Sequence, residues 1–216
     1  MAISLNSLAT WSAAKRTTCS YDVILPDRGS IFVFMAATYA TLAGATCTIG
    51  GAAATAQVVG DAHAQQVSFW RNDLPAGTYT VTVSGISDIY NSQGKVFSFI
   101  GIKEVIAKLN YEDHATGATV SSPTMATGKV LVETYCQYTP TTPALTLNSG
   151  QTMLDWMDYN ATGSLGLAYR MNVGAGTVNT SVTWANADNS YANFELMAIL
   201  SVGEAGVFLS DGFGFM

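Results

Sequence analysis

The chain has 216 residues, room for one large sandwich or two small domains, and enough to bury a core without help from metal or disulfides. Only 11 % of its residues are charged, against roughly 25 % in an average soluble domain, and 49 % are hydrophobic, so much of its surface is expected to be neutral. Its purest apolar run, Ile31 to Ala37, falls far short of the roughly 20 residues of a bilayer-spanning helix. With 15 acidic against 9 basic residues, a net charge of −6 and no Lys or Arg stripe, nucleic acid is not an expected partner either.

A neutral surface on a chain of this kind implies that neighbouring subunits cover part of it. The three cysteines, Cys19, Cys47 and Cys136, have no CxxC spacing and cannot all pair within one chain, which reads as free thiols in a reducing compartment.

In chain order, Met1 to Asp22 is mixed and polar and reads as an N-terminal arm, with Trp11 a candidate partner contact. Lys15 and Arg16 follow its weakly apolar stretch, the reverse of a secretory signal, so the mature chain is expected to begin at Met1.

Strand signals then dominate: Ile31–Met35, Val67–Trp70, Thr78–Val83, Val96–Ile100, Val130–Tyr135, Leu165–Tyr169, Ser181–Trp184 and Phe194–Leu200. These segments are short, β-branched or aromatic, and often alternating. Turn formers separate them at Pro26–Gly29, Leu74–Gly77, Asn91–Gly94 and Val173–Gly176. The expected fold is therefore all-β, an antiparallel two-sheet sandwich of jelly-roll type. Only Glu104 to Tyr111, with Val105, Ile106 and Leu109 at helical spacing, is read as a short helix or a linking turn.

An internal echo runs at a constant offset of 99 residues: Gly29 and Gly128, Arg71 and Arg170, Ala76–Thr78 and Ala175–Thr177, Val83 and Val182. Ile31 and Val33 likewise answer Val130 and Val132, Trp70 answers Tyr169, and Ile100 answers Ile199. The sandwich is accordingly expected over residues 23–202, built from pseudo-repeated halves at about 23–110 and 118–202, with a C-terminal arm over 203–216. The halves would either interleave into one jelly roll or form two sandwiches of about a hundred residues. The final arm carries Phe208, Leu209, Phe213 and Phe215 among glycines, side chains that need cover from a partner or from their own domain.

No catalytic, cofactor or metal site is expected. The only histidines are His63, in a polar loop, and His114, and there is no Gly-x-Ser-x-Gly elbow. Glu112-Asp113-His114 gathers metal-capable side chains, but adjacent loop residues rarely converge on one ion, and the segment reads as a solvated loop between halves. Asp155 and Asp158, beside Trp156 and Tyr159, suit a glycosidase pair in type, yet Leu154–Tyr159 reads better as an edge strand or loop. Trp156, Tyr159 and Tyr191 are the candidate contacts if a glycan is bound by stacking. Trp70 and Trp184 lie within strand-like stretches and read as core. Arg71 and Arg170 are expected to pair with carboxylates at matching sheet corners as structural residues.

With its Pro75–Val83 hairpin and closing strand Glu195–Leu200, the chain resembles, over about Asp22 to Val202, jelly-roll modules in virion proteins of tailed bacteriophages, capsid decoration proteins and tail fibres among them. The resemblance implies a cement role in the virion, assembled in the host cytoplasm, with the major capsid protein or tail components as partners. It implies a homo-oligomer, often a trimer, whose arms lace neighbouring subunits together. The alternative that it implies is a carbohydrate- or receptor-binding module of a tail fibre.

Overall fold

The computed structural model describes residues 4–12, 17–38, 42, 44–60, 64–86, 92–113, 117–121, 129–138, 145–147, 150–159, 163–173, 177, 179–184 and 191–201. Every regular element among them is a β-strand and every strand pairing is antiparallel. The first nine strands are β1 (Ser4–Ser12), β2 (Thr18–Leu25), β3 (Gly29–Thr38), β4 (Thr46–Ile49), β5 (Ala52–Ala53), β6 (Thr55–Gly60), β7 (Ala64–Leu74), β8 (Gly77–Ser84) and β9 (Ser92–Ile100). They form sheet I, in the order β1-β9-β3-β7-β6, and sheet II, in the order β2-β8-β4-β5.

Then follow β10 (Ile102–Asp113), β11 (Gly117–Ser121), β12 (Lys129–Tyr138), β13 (Leu145–Leu147), β14 (Thr152–Tyr159), β15 (Gly163–Val173), β16 (Asn179–Trp184) and β17 (Tyr191–Ser201). Sheet III has the order β10-β17-β12-β15-β14 and sheet IV the order β11-β16-β13. The eight strand segments read from the sequence all fall inside these elements.

Sheets I and II enclose one apolar core. Val23 and Leu25 of β2, Cys47 and Ile49 of β4, and Val81 and Val83 of β8 meet Ile31, Val33 and Met35 of β3, Val67 and Phe69 of β7, and Val96 of β9. The two-residue period of β4, exposed then buried in turn, is what a strand with one wet face requires. Sheet I differs, because Phe32, Phe34, Ala36, Trp70, Phe97 and Phe99, on its opposite face, are buried as well. That second face meets sheet III: β7 and β3 lie against β10 and β12, and the rings of Phe99 and Tyr169 touch edge-on. Val132, Thr134 and Ala168 of sheet III are fully buried. Sheet I is thus an inner layer, and the unbroken apolar run Ile31–Ala37 is its central strand.

Three expectations need correction. Most of the expected N-terminal arm is sheet: β1 pairs with β9 and β2 pairs with β8. Glu104–Tyr111 lies within β10, paired to β17, and is neither a helix nor a linking turn. In β1 and β10 the misreading has one cause. A register shift between Leu5 and Ser7, and another between Val105 and Ala107, each insert a residue and break the alternation that marks a strand. The third correction concerns Glu112 and Asp113, which end β10 opposite Asn193 and Ala192 in place of the expected loop. Only Gly101 separates β9 in sheet I from β10 in sheet III, at φ 76°, with its N–H bonded to the Arg28 carbonyl at 2.9 Å.

Candidate functional site

The outer layers carry the most unusual surface chemistry. Asp22 is the one charged residue in the seven strands of sheets II and IV. On sheet II, Thr18, Ser20 and Asp22 of β2 lie beside Ser84, Thr82 and Thr80 of β8, and Thr46 and Thr48 of β4 continue the first two rows. These rows form an exposed hydroxyl-lined face, because β-branched threonine suits the pleat while its hydroxyl faces water. Neighbours on it bond to each other: Ser20 Oγ and Thr82 Oγ1 are 3.1 Å apart, and Thr80 Oγ1 donates to Asp22 Oδ1 at 2.6 Å. On sheet IV, Thr146 lies opposite Thr183, and both are exposed.

The edge of sheet II is open along β2, which pairs with β8 on one side alone among the described residues. Tyr21, 44 % exposed, and Ile24, 66 % exposed, stand on this strand. Beside it runs a shallow groove of about 340 Å³ lined by Asn6, Tyr21, Asp22, Val23, Ile24 and Pro26. Asn6, the residue left over at the β1 bulge, spans the mouth of the sandwich: its Nδ2 donates to the Ile24 carbonyl at 2.8 Å and to Ser98 Oγ at 3.0 Å.

Arg71 and Arg170 are structural, as expected, but they bind carbonyls in place of carboxylates. Arg71 Nη1 donates to the Ile49 carbonyl at 2.6 Å, tying sheet I to sheet II, and Arg170 Nη1 donates to the Asn179 carbonyl at 3.3 Å, tying sheet III to sheet IV. Among the described residues an ion pair joins Arg28 and Asp73, 2.8 Å apart and exposed, which raises the guanidinium pKa through that hydrogen bond. Cys19 and Cys47 both lie opposite Val83, one on each side of β8. Two strand spacings, about 9.6 Å, separate them, too far for a disulfide. Desolvation pushes the buried Cys47 thiol up to about 12.

The contacts expected from sequence are placed only as backbone. Trp11 lies in β1 opposite Gly94, Trp156 and Tyr159 lie in β14 opposite Gly166 and Gly163, and Tyr191 lies in β17 opposite Tyr138. Positions 155 and 158 are three apart in β14 at the edge of sheet III, an odd spacing that assigns them to opposite faces of the pleat. Phe208, Leu209, Phe213 and Phe215 lie outside the described residues, as do His63 and His114. Trp70 is buried, as core. Among the described residues no group of three His, Cys, Asp or Glu side chains could hold a metal ion, and no helix is long and apolar enough to cross a membrane. The site that sequence reasoning missed is the β2 edge, whose signal was the outward Ile24 between the inward Val23 and Leu25. The sequence matches no protein-family model and no curated protein.

Proposed function

We propose that this chain is a structural subunit of a larger assembly, and specifically a capsid decoration or cement protein that strengthens a virion shell through contacts between subunits. The observation that carries this reading is the makeup of the outer layers, in which one charged residue, Asp22, serves seven strands. Neutral faces of this size avoid the cost of burying charge, and many interfaces of ordinary size, repeated over a lattice, add up to a stable shell. The virion itself comes from the resemblance stated above.

The same proposal includes a duplicated jelly roll. Moving from β1, β2, β3, β4, β6, β7, β8 and β9 to β10 through β17 turns the order of sheet I into that of sheet III, and that of sheet II, without β5, into that of sheet IV. The register shifts recur as well: Leu5/Ser7 and Val105/Ala107, Gly29/Ile31 and Lys129/Leu131. In the first set the order is that of the two four-stranded sheets of a jelly roll, with one added strand on sheet I; the second set repeats it with the added strand on sheet III and with three strands in sheet IV. On this reading the halves are two sandwiches packed through sheets I and III, and the repeat is 100 residues in β1 and β3, so Gly29 answers Lys129 in place of Gly128.

The test is co-sedimentation of the chain with candidate shells, together with shell melting temperature, for the full chain and for a chain ending at residue 202. Binding by the full chain and loss on removing Phe208, Leu209, Phe213 and Phe215 are expected. A chain that ignores shells in both forms, while retaining binding on a glycan array through Trp156, Tyr159 or Tyr191, would instead make it the carbohydrate-binding module of a fibre.

A further inference from the structure

Natural sheets usually blunt an open edge with lysine, proline, a bulge or a covering loop. On the β2 edge, Thr18–Leu25 contains no lysine, proline or bulge, and among the described residues only Asn6 reaches this edge, at Ile24; its one charge, Asp22, is engaged by Thr80. The direction of its backbone groups follows from two hydrogen bonds. The Ile24 carbonyl accepts from Asn6, on the side away from β8, and the Thr80 carbonyl, opposite Asp22, accepts from Gly50 on the β4 side. Peptide groups alternate along an antiparallel strand, so Ser20 and Asp22 also turn their N–H and C=O groups to the open edge.

We infer that this edge pairs with the same edge of a second copy, antiparallel across a two-fold axis at Tyr21, joining two copies of sheet II into one continuous sheet. This deepens the proposed function by naming one subunit contact, and it rests on that reading only for the biological use of the contact. The argument for a second copy is self-complementarity. With the axis at Tyr21, Ser20 exchanges both backbone hydrogen bonds with the partner's Asp22, and the Ser20 hydroxyl faces that carboxylate. The two half-exposed Tyr21 rings meet at the axis, in a pair whose Cα atoms would be about 4.5 Å apart. Ile24, the most exposed large apolar side chain of the strand, comes to lie opposite the partner's Thr18. Sliding the register by one pair in one direction sets Asp22 against Asp22. Sliding it the other way shortens the overlap and takes Tyr21 off the axis. The groove beside β2 is the space the added strand would occupy, with the Asn6 amide giving up the Ile24 carbonyl to the partner's Thr18 N–H.

The test is sedimentation equilibrium of the full chain and of paired charge variants, with far-UV circular dichroism to verify folding. Wild type is expected to dimerise. Ser20→Asp sets a second carboxylate against the partner's Asp22 at two symmetric contacts and is expected to weaken dimerisation at least tenfold, whereas Ser20→Lys should tighten it. Thr48→Asp and Thr48→Lys, in the same row two strands away, make the same changes in net charge and are expected to leave the dimer unchanged. In a Cys19→Ser background, Tyr21→Cys should form an intermolecular disulfide on mild oxidation, since the paired Cα distance lies in the permitted range. A monomeric wild type, equal effects at positions 20 and 48, or no crosslink from position 21 would each overturn the inference. If the monomeric Ser20→Asp chain still binds shells, the cement reading stands without this contact; if wild type dimerises at this edge but ignores shells, the contact stands without the cement reading.

Discussion

The Phe99 and Tyr169 rings meet edge-on, with centroids 5.9 Å apart and planes at 68°, one ring from sheet I and the other from sheet III. Phe99 also lies edge-on to Phe32 and Phe97, which stack on each other at 5.2 Å, so among the described residues Tyr169 is the ring by which sheet III joins an aromatic cluster of sheet I. Phe99→Ala is expected to cost about 3–5 kcal/mol in urea unfolding, through lost transfer energy and the cavity left behind. In a double-mutant cycle with Tyr169→Leu, a coupling of about 0.5–1.5 kcal/mol would identify the ring pair itself. Strict additivity would show that the rings do not interact.

Arg71 ties sheet I to sheet II. Arg71→Met keeps much of the stem but leaves the Ile49 carbonyl without its charged donor, and a loss of about 1.5–3 kcal/mol is expected. Arg170→Met should lose less, since its bond to Asn179 is longer and exposed. Chemical denaturation of the two variants side by side tests the order.

Cys47 should be silent to thiol reagents until the sheet opens. Its pKa rises from the ordinary 9.0 to about 12 through desolvation, so the folded state holds the proton more tightly than the unfolded chain. The sign follows from linkage: this contribution to stability is complete below pH 9, and it is lost as pH rises through the window from about 9 to about 12. Alkylation at pH 8.5 should label the half-buried Cys19 first, and Cys47 only at a rate set by unfolding. Equal labelling of the two would contradict the burial of Cys47.

Gln66 is buried on the face of sheet I turned to sheet III, and neither of its amide atoms has a hydrogen-bond partner in the protein. A methionine of similar shape removes both polar groups. Gln66→Met is therefore expected to raise stability by about 1–3 kcal/mol, read as a higher urea midpoint at unchanged slope. A lower midpoint would mean that the amide is satisfied in solution.

The strand content was legible because the eight segments named from sequence combine β-branched or aromatic residues with turn formers at their ends. What escaped the sequence did so for local reasons. In β1 and β10 a bulge breaks the period-two pattern, and in β2 the outward Ile24 interrupts an otherwise clear alternation. The inner layer had left its mark in the continuous apolar run Ile31–Ala37, since a strand buried on both faces needs no polar side. The Asp155 and Asp158 pairing could not be judged from spacing alone, because a spacing of three means opposite faces only once the segment is a strand, and here it is β14. The β2 edge depends on which strands remain unpaired, a property of the assembled sheet that no short window of sequence contains.

The one-residue junction at Gly101 also bears on how the protein is made. Among the described residues no backbone ladder joins strands from before and after it, so by the time residue 101 leaves the ribosome the described strands of sheets I and II have all been synthesised. Sheets I and II then have their strands in place, but the Phe32, Phe97 and Phe99 cluster waits uncovered until sheet III arrives. Synthesis therefore passes through a stage at which a complete sandwich presents an aromatic face to the cell. A pause or truncation just after Gly101 would leave that face as a lasting seed for aggregation, and prompt completion of the second half is its only intramolecular remedy.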